Sequence, residues 1–330
     1  MIGNMIKICT IGGGTGMPTV NMALVKVGFE NIKSIVTTFD SGGDTGRMRT
    51  DERGNIMAFS DYWRSLISLW EDGDQKRVWE EMLQFRDGRG RNFGNAFFQF
   101  MAEKIGDLSD VDELFSQLTG AKLKGEVVPV SLEPSNVCFK TKSGNLYCGE
   151  NYLDGLRMSS DSVEKVWLEP DVRANREAIK AIVESEVIIV CPGSMYGSVL
   201  INLLPKGMAK AYKQTKAKKV LMTNIMSVAN ENNGFSQKEY VEVFRKYLNM
   251  DKPFDLVLMP DFEKLNQKIL KKVYMNYALE HSQPIKDNKL ENSFETTTAD
   301  IAKVEVKNLR LRHSVLKLSI FFKHYSWFKK

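Results

Sequence analysis

The first forty residues constrain the fold more than any other part of the chain. "MIKICTI" is a short apolar run with β-branched residues, and "GGGTG" follows at once. "MPTVNMALVKVGF" then carries apolar residues at helical spacing, and "NIKSIVTTF" reads as a second buried strand. A strand, a glycine turn, a helix and a strand open a doubly wound sheet. The expected class is α/β: a Rossmann-like, mostly parallel sheet. Ligands of such sheets collect outside the carboxyl ends of the strands, so the loops after the strands are where binding residues are sought.

Between residues 53 and 120 the pattern turns helical. "GNIMAFSDYWRSLISLW", "DQKRVWEEMLQF", "NFGNAFFQFMAEKIG" and "DVDELFSQLTG" are amphipathic segments separated by Asp, Gly and Arg turns, expected as a helical insertion. "EVVPVSLEPSNVCFKTKSGNLYCGENYLD" is β-rich with proline breaks and one hairpin, expected as a small antiparallel appendage. Alternation then returns. "EKVWLEP", "EVIIVC", "AKKVLMTNI" and "FDLVLMP" read as strands, with helices from "RANREAIKAIVES", "MYGSVLINLLPKGMAKAYKQT" and "SQKEYVEVFRKYL". After a polar stretch near Leu279 to Thr298, "DIAKVEVKNL" reads as a last strand. Residues 1–330 are expected to form a single domain, with a basic, aromatic tail over 308–330.

That tail decides how the net charge of +5 is understood. Asn308 to Lys330 hold six Lys/Arg and no acid, leaving the remainder near −1. Basic residues are therefore not spread over a working face, and no nucleic-acid partner is expected. The tail suits a membrane-surface helix, or a C-terminal helix docked on the core with snorkelling lysines. No apolar run approaches the ~18 residues of a membrane span. The start lacks signal-peptide features, so a cytoplasmic location is expected. Cys9, Cys138, Cys148 and Cys191 lack zinc spacing. A hairpin about Ser143–Gly144 would set Cys138 opposite Gly149 and Cys148 opposite Phe139, on opposite faces, so reduced cysteines are expected. The three histidines all lie beyond residue 280. An HExxH metal site is thereby excluded and a histidine triad disfavoured. No haem, flavin or zinc site is visible.

Four strand ends hold the binding candidates. Gly12, Gly13, Gly14, Thr15 and Gly16 follow the first strand, where backbone amides and the helix start can cradle a phosphate. No lysine follows Gly16, and Met17 stands where the third glycine of a dinucleotide fingerprint belongs; a tight turn without ligand is the alternative. "FDSGGDTGRMRT" closes the second strand. Asp40 lies 26 residues after Gly14, placed for a ribose hydroxyl or, through its hard oxygen, a divalent ion. Gly42, Gly43, Thr45 and Gly46 form a second glycine loop, and Arg47 and Arg49 supply guanidinium forks for a diphosphate; a solvated loop of paired charges is the alternative. "CPGSMYGS" puts Gly193 and Ser194 at a third strand end, as an anion site or a plain helix cap. "LMTNIM" puts Asn224 at a fourth, suited to a base or sugar edge. Asp61 and Arg64 share a helical face as a site or a surface ion pair, and Asn95 is a cap or a ligand contact.

Together, "GGGTG", "IVTTFDSGGDTGRMR", "FSDYWRSL", "FGNAFF", "VVPVSLEP", "VIIVCPGSMYGSVLINLLPKGMAKAY", "KKVLMTNIM" and "GFSQKEYVEVFRKYL" resemble the CofD-like superfamily over residues 5 to 315. That superfamily holds 2-phospho-L-lactate transferases of deazaflavin coenzyme synthesis and YvcK-like gluconeogenesis factors, which bind UDP-sugars and support cell shape. The doubled glycine of "DSGGDTGR" is similar to the second branch. Ser41 stands where that branch has a second acid, and Asp44 where it has a serine, so a metal site would have to use Asp40 and Asp44. The family's His-Asp-Pro is "HSV" here, and no role passes to His313.

The resemblance implies that Gly13, Gly14, Thr15, the Asp40–Arg47 loop, Asp61, Arg64, Asn95, Gly193 and Ser194 line a cleft for a nucleotide or nucleotide sugar. For a transferase it implies hydroxyl attack on an activated phosphoryl group, with Arg47 and Mg²⁺ neutralising charge and Asp40 or Asp61 placing the ion or taking the proton. The leading expectation is a nucleotide-sugar-binding regulator of cell shape and carbon metabolism. The alternative is a phospholactate or phosphoenolpyruvate transferase that releases GMP. A nicotinamide dehydrogenase is the weakest reading. Membrane contact by the tail and a homo-oligomer stay open.

Overall fold

The computed structural model describes residues 6–42, 44–46, 57–106, 110–287 and 295–329. Gly43, Arg47 and Arg49 lie outside them, so the second glycine loop is described only in part.

Seven parallel strands form the main sheet: β1 (Ile8–Gly12), β2 (Ile32–Val36), β3 (Gly125–Pro129), β7 (Val187–Val190), β8 (Lys218–Met222), β9 (Leu256–Pro260) and β10 (Glu295–Ala299). Two antiparallel sheets complete the strand set. One orders β5 (Leu146–Cys148), β4 (Asn136–Thr141) and β6 (Val163–Glu169); the other pairs β11 (Ala302–Glu305) with β12 (Arg310–His313). The main sheet runs β10-β9-β8-β7-β1-β2-β3. Its order reverses between β1 and β7, and the crevice at that switch point is where an open α/β sheet takes its ligand.

The helices are α1 (Gly16–Val27), α2 (Ser60–Ser68), α3 (Asp74–Gln84), α4 (Phe93–Ile105), α5 (Val111–Thr119), α6 (Asn151–Gly155), α7 (Arg176–Glu184), α8 (Met208–Gln214), α9 (Ala229–Asn232), α10 (Gln237–Leu248), α11 (Gln267–Ala278) and α12 (Val315–His324). The sheet separates two cores. Residues of α1, α2, α4, α5 and α12 pack on one face; α7, α8, α10 and the β4–β6 appendage pack on the other. Helices α2 to α5 all fall in the crossover between β2 and β3, so the helical block interrupts one continuous sheet.

Several elements differ from expectation. Gly125–Pro129 is a parallel strand of the main sheet rather than part of the appendage, while "EKVWLEP" belongs to the appendage. Their burial explains both: "VVP" is buried throughout, whereas β6 buries Val163, Val166 and Leu168 and exposes Glu164, Lys165 and Glu169. A continuous apolar run marks a parallel strand covered on both faces; interruption by polar residues marks one with a solvated face. The polar stretch before residue 299 supplies β10, an edge strand with little to bury. "DIAKVEVKNL" instead opens the separate β11–β12 hairpin.

The long helix expected after Ser194 is broken into a π turn at Met195–Val199, a 3-10 turn at Leu200–Leu203, and α8. Pro205 lacks a donor and Gly207 adopts φ 107°, so the helix cannot run through. The cysteine pairing is corrected as well. A three-residue turn with Gly144 at φ 94° shifts the hairpin register by one. Cys138 therefore faces Cys148 at a Cα–Cα distance of 4.0 Å, and the two form a disulfide. Cys9 and Cys191 are free and buried.

The tail docks on the core. Leu318, Phe322 and Phe328 are fully or almost fully buried against the α1 side, and each such burial contributes about 1.5–3 kcal/mol. Leu316 and Ile320 remain exposed on the outer side of α12. Among the described residues no helix is long and apolar enough to cross a membrane.

Candidate functional site

The turns after β1 and β7 meet at the switch point. Gly16 lies against the Pro192 carbonyl so closely that a Cβ there would overlap the carbonyl oxygen. Gly193 in turn would bring a Cβ to 3.5 Å from the Gly13 carbonyl. The glycines thus do two things: they turn the chain and let two backbones touch. Asn202 Nδ2 donates to the Gly12 carbonyl at 3.1 Å and ties the first turn to the far side of the second.

Helix α1 starts at this junction without help from its own sequence. Thr15 makes no side-chain cap, and the first turn carries no acid. The leading amides of a helix need partners; Pro18 has no N–H to offer, and Thr15 and Thr19 line two cavities beside this start. One cavity, of about 210 Å³, lies between this turn, Gly193, Asn224 and a lid containing Tyr277, Arg312 and His313. The other, of about 360 Å³, lies toward the helical insertion and is lined by Met22, Trp63, Arg64, Ile67 and Arg86 among others.

Acids stand against both turns. Asp61, on α2, puts its carboxylate where a Cβ of Gly13 would fall and accepts from the Gly14 N–H. Arg64 pairs with it at 3.5 Å and lies 5.1 Å from the Trp63 ring centroid. Burial, reinforced by the nearby Asp40, pushes the Asp61 carboxyl up to about 6 despite Arg64. Asp40 accepts from Gly42 N–H at 2.8 Å and from Ser60 Oγ at 2.5 Å. Glu150, contributed by the appendage just after β5, approaches the same place. Burial and then Asp40 push its carboxyl up to about 9.

The rest of the Asp40 loop is clamped from two sides. Ser41 Oγ donates to Asn151 Oδ1 and accepts from Asn151 N–H. Asp44 accepts from Asn92 N–H at 2.9 Å and Asn95 Nδ2 at 3.2 Å. Asn95 Nδ2 also reaches Thr45 Oγ1, while its Oδ1 accepts from the Trp63 indole. Asn92 is the side-chain cap of α4, accepting from Asn95 N–H. Asp44 therefore sits at a helix start, where a carboxylate is favoured, and bonds Asn92 and Asn95 where Asp40 bonds Gly42 and Ser60. Gly46 closes the turn by donating to the Gly42 carbonyl at 3.2 Å.

Ser194 is occupied by the protein itself. Its hydroxyl donates to Glu231 Oε1 at 2.9 Å and accepts from Gly197 N–H as a cap, while Tyr196 N–H donates to Glu231 Oε2. A buried carboxylate from α9 thus fills the anion position that the sequence suggests for a ligand; burial raises its pKa. Asn224 is likewise spoken for, accepting from Gly193 N–H and donating to the Gly193 carbonyl at 2.9 and 2.8 Å.

The two turns, the Asp40 loop, Asp61 and Asn95 lie within the span matched by a known family model. The model described as 2-phospho-L-lactate transferase CofD matches residues 8–310. This chain belongs to the CofD family. A protein of Aquifex aeolicus is 31% identical over 254 residues, covering 74% of this chain and 75% of its own. A protein of Halalkalibacterium halodurans named gluconeogenesis factor is 28% identical over 322 residues, covering 95% of this chain and 94% of its own. A crystal structure from Bacillus halodurans, described as a upf0052 family member, superposes with a TM-score of 0.82 at 26% identity, over 96% of this chain and 99% of that one.

Within this CofD-family frame, sequence reasoning missed Glu150, Glu231, Ser60, Arg157, Tyr277 and Arg312. Glu150 and Glu231 carry no local signature, since each acts on a loop far away in sequence. The lid residues lie beyond the last strand end the pattern offered. Tyr277 is the exception with a visible context: it lies in α11, and Arg310 stacks on it at 4.7 Å while pairing with Glu280, which Arg157 also approaches at 3.5 Å.

Proposed function

We propose that this CofD-family protein is a cytoplasmic nucleotide-sugar-binding protein of the gluconeogenesis-factor type, acting in the regulation of cell shape and carbon metabolism. The observation that carries the reading is the uncapped start of α1 opening into a cavity at the β1/β7 switch point. Its amides suit a diphosphate, and Arg312 on the lining adds positive charge, while Arg157 there pairs with Glu280 and Tyr277 carries Arg310 over its ring. The name of the Halalkalibacterium halodurans relative agrees with this choice. A thermal-shift panel tests it: UDP-N-acetylglucosamine or a related UDP-sugar raises the melting temperature, as any ligand preferring the native state does. No shift at millimolar ligand with folded protein overturns it.

A divalent ion fits the same place in part. Mg²⁺ commonly uses one or two carboxylates, waters and ligand phosphates, and Asp40 and Asp61 are hard oxygen donors beside the glycine turn. Among the described residues no cluster of three or more His, Cys, Asp or Glu is arranged around an ion site, so the ligand's own phosphates would have to complete the shell. Asp44 would reach such an ion only by leaving Asn92 and Asn95.

The transferase reading is kept for one reason: the second cavity, beside Thr15 and Arg64, gives room for a second substrate. There Asp61 would accept a hydroxyl proton and Arg64 would steady phosphoryl charge, a task of positioning and charge neutralisation. Incubation with a guanylyl-activated phospholactate donor and a deazaflavin acceptor releases GMP on this reading; no GMP and no product remove it.

A further inference from the structure

The Cys138–Cys148 disulfide ends two residues ahead of Glu150, the acid that approaches Asp40. It ties β5, a three-residue edge strand with no buried residue, to β4, where Cys138 is fully buried. Besides the S–S bond, β5 is held by its ladder with β4 and by the Tyr147 ring stacked on Phe139 at 5.1 Å. An edge strand this short has few non-covalent ties, so the covalent one carries a large share of its order. From Cys148 the chain runs straight into the residues that clamp the Asp40 loop. Gly149 N–H donates to the Val137 carbonyl at 2.8 Å, and Asn151 holds Ser41 through its amide and its side chain. Glu150 lies between two loops: a Cβ on Gly42 would meet its Oε2 at 3.6 Å, and one on Gly197 its Oε1 at 3.2 Å. The short helix that follows, α6, buries Leu153 alone.

Resting on the cytoplasmic, nucleotide-binding reading above, we propose that this disulfide is a redox latch on the ligand site. Oxidised, it holds Glu150 and Asn151 against the Asp40 loop; reduced, it releases them and weakens ligand binding. Disulfides in reducing compartments are usually transient and redox-sensing. This one joins an exposed edge residue, Cys148, to a core residue, Cys138. A thiolate of a cellular dithiol attacks Sγ of Cys148, the S–S bond breaks, and Cys138 leaves as a thiolate that takes a proton. The second thiol of the reductant then attacks the reductant's own sulfur in the mixed disulfide and frees Cys148 as a thiol. Two electrons and two protons pass to the protein, and the dithiol departs as its own disulfide. Cys9 and Cys191, free and buried, take no part. A loop already held in its binding geometry loses less affinity to ordering, so the oxidised form is the tighter binder.

Hydrogen exchange and calorimetry test this on the full chain, oxidised with glutathione disulfide or reduced with dithiothreitol under native conditions. Mass spectrometry after alkylation should find Cys138 and Cys148 paired in the first form and both labelled in the second. Amides of residues 40–42 and 149–153 should exchange about tenfold or more faster after reduction, while those of β1 and β7 stay unchanged. UDP-N-acetylglucosamine should bind the reduced form about threefold to tenfold more weakly. Cys148→Ser should match reduced wild type in both readouts and no longer respond to dithiothreitol, with its melting temperature reporting whether it is folded; the wild-type comparison needs no variant. A pair that does not form, or that resists reduction in the folded chain, overturns the inference. Equal exchange or equal ligand affinity in the two forms overturns it as well. Absence of nucleotide-sugar binding in both forms overturns the nucleotide reading, and the exchange comparison then still decides the latch.

Discussion

The turn after β1 and the turn after β7 flank the same crevice, and each has a carboxylate pressed against it. Asp61 meets the first and Glu231 the second. Their surroundings differ. Glu231 is held by a hydroxyl and backbone N–H groups in a fully buried setting, whereas Asp61 shares its place with Arg64, which is one-third exposed, and with Asp40. A carboxylate bound by fixed donors at a helix start is part of the scaffold. One wedged between an acid and a partly exposed cation, at an uncapped glycine turn, is easier to displace or protonate. On the proposed reading, ligand exchange falls to the β1 side and rigidity to the β7 side.

Substitutions at four positions strain this contrast, beginning with the largest effect. Gly16→Ala drives a methyl into the Pro192 carbonyl, where backbone rather than a flexible side chain must yield. A loss of about 3 kcal/mol or more is expected in urea unfolding; a loss near zero would mean the two turns do not abut. Glu231→Ala strands the Ser194 hydroxyl and the Tyr196 amide, at a cost of about 2–3 kcal/mol. Glu231→Gln should recover part of that, and if both variants matched wild type the β7 turn would not depend on its carboxylate.

Asp61→Asn should act in the opposite direction. The native carboxyl titrates near 6 against an ordinary 3.8, so the folded chain binds the extra proton between those values. The group's relative contribution is most favourable below about pH 4 and is lost as pH rises through 6. Asparagine removes that loss, so the variant should be more stable than wild type at pH 7.5, on the order of 2 kcal/mol, and indistinguishable at pH 4. A constant difference across that range would break the assignment. Asn224→Ala, which removes a reciprocal pair with Gly193, is the mildest, at about 1 kcal/mol in the same unfolding assay.

Much of the fold was legible locally. The β1–turn–α1–β2 unit follows from apolar periodicity and glycine placement, and so do α3, α4 and α5. Gly12 to Gly14, Gly16 and Asp40 were visible because strand ends in parallel sheets are where side chains and amides become available. Whether Gly125–Pro129 and Val163–Glu169 join the main sheet depends on which partner strand is free, and a single segment does not encode that. The Cys138–Cys148 pairing turned on one extra residue in a turn, because a one-residue register shift moves a side chain to the other face.

The sequence by itself determined the α/β class and the glycine turns at the strand ends, because these rest on backbone geometry and short-range periodicity. Tertiary structure alone decided what fills the turns. Glu231 reaches Ser194 from 37 positions away and Glu150 approaches Asp40 from the appendage. His313, set aside in the sequence because its neighbours depart from the family pattern, is placed on the cavity by the β11–β12 hairpin. Electrostatic and hydrogen-bond partners of this kind are set by distance in space, and distance in space is what folding adds to the chain.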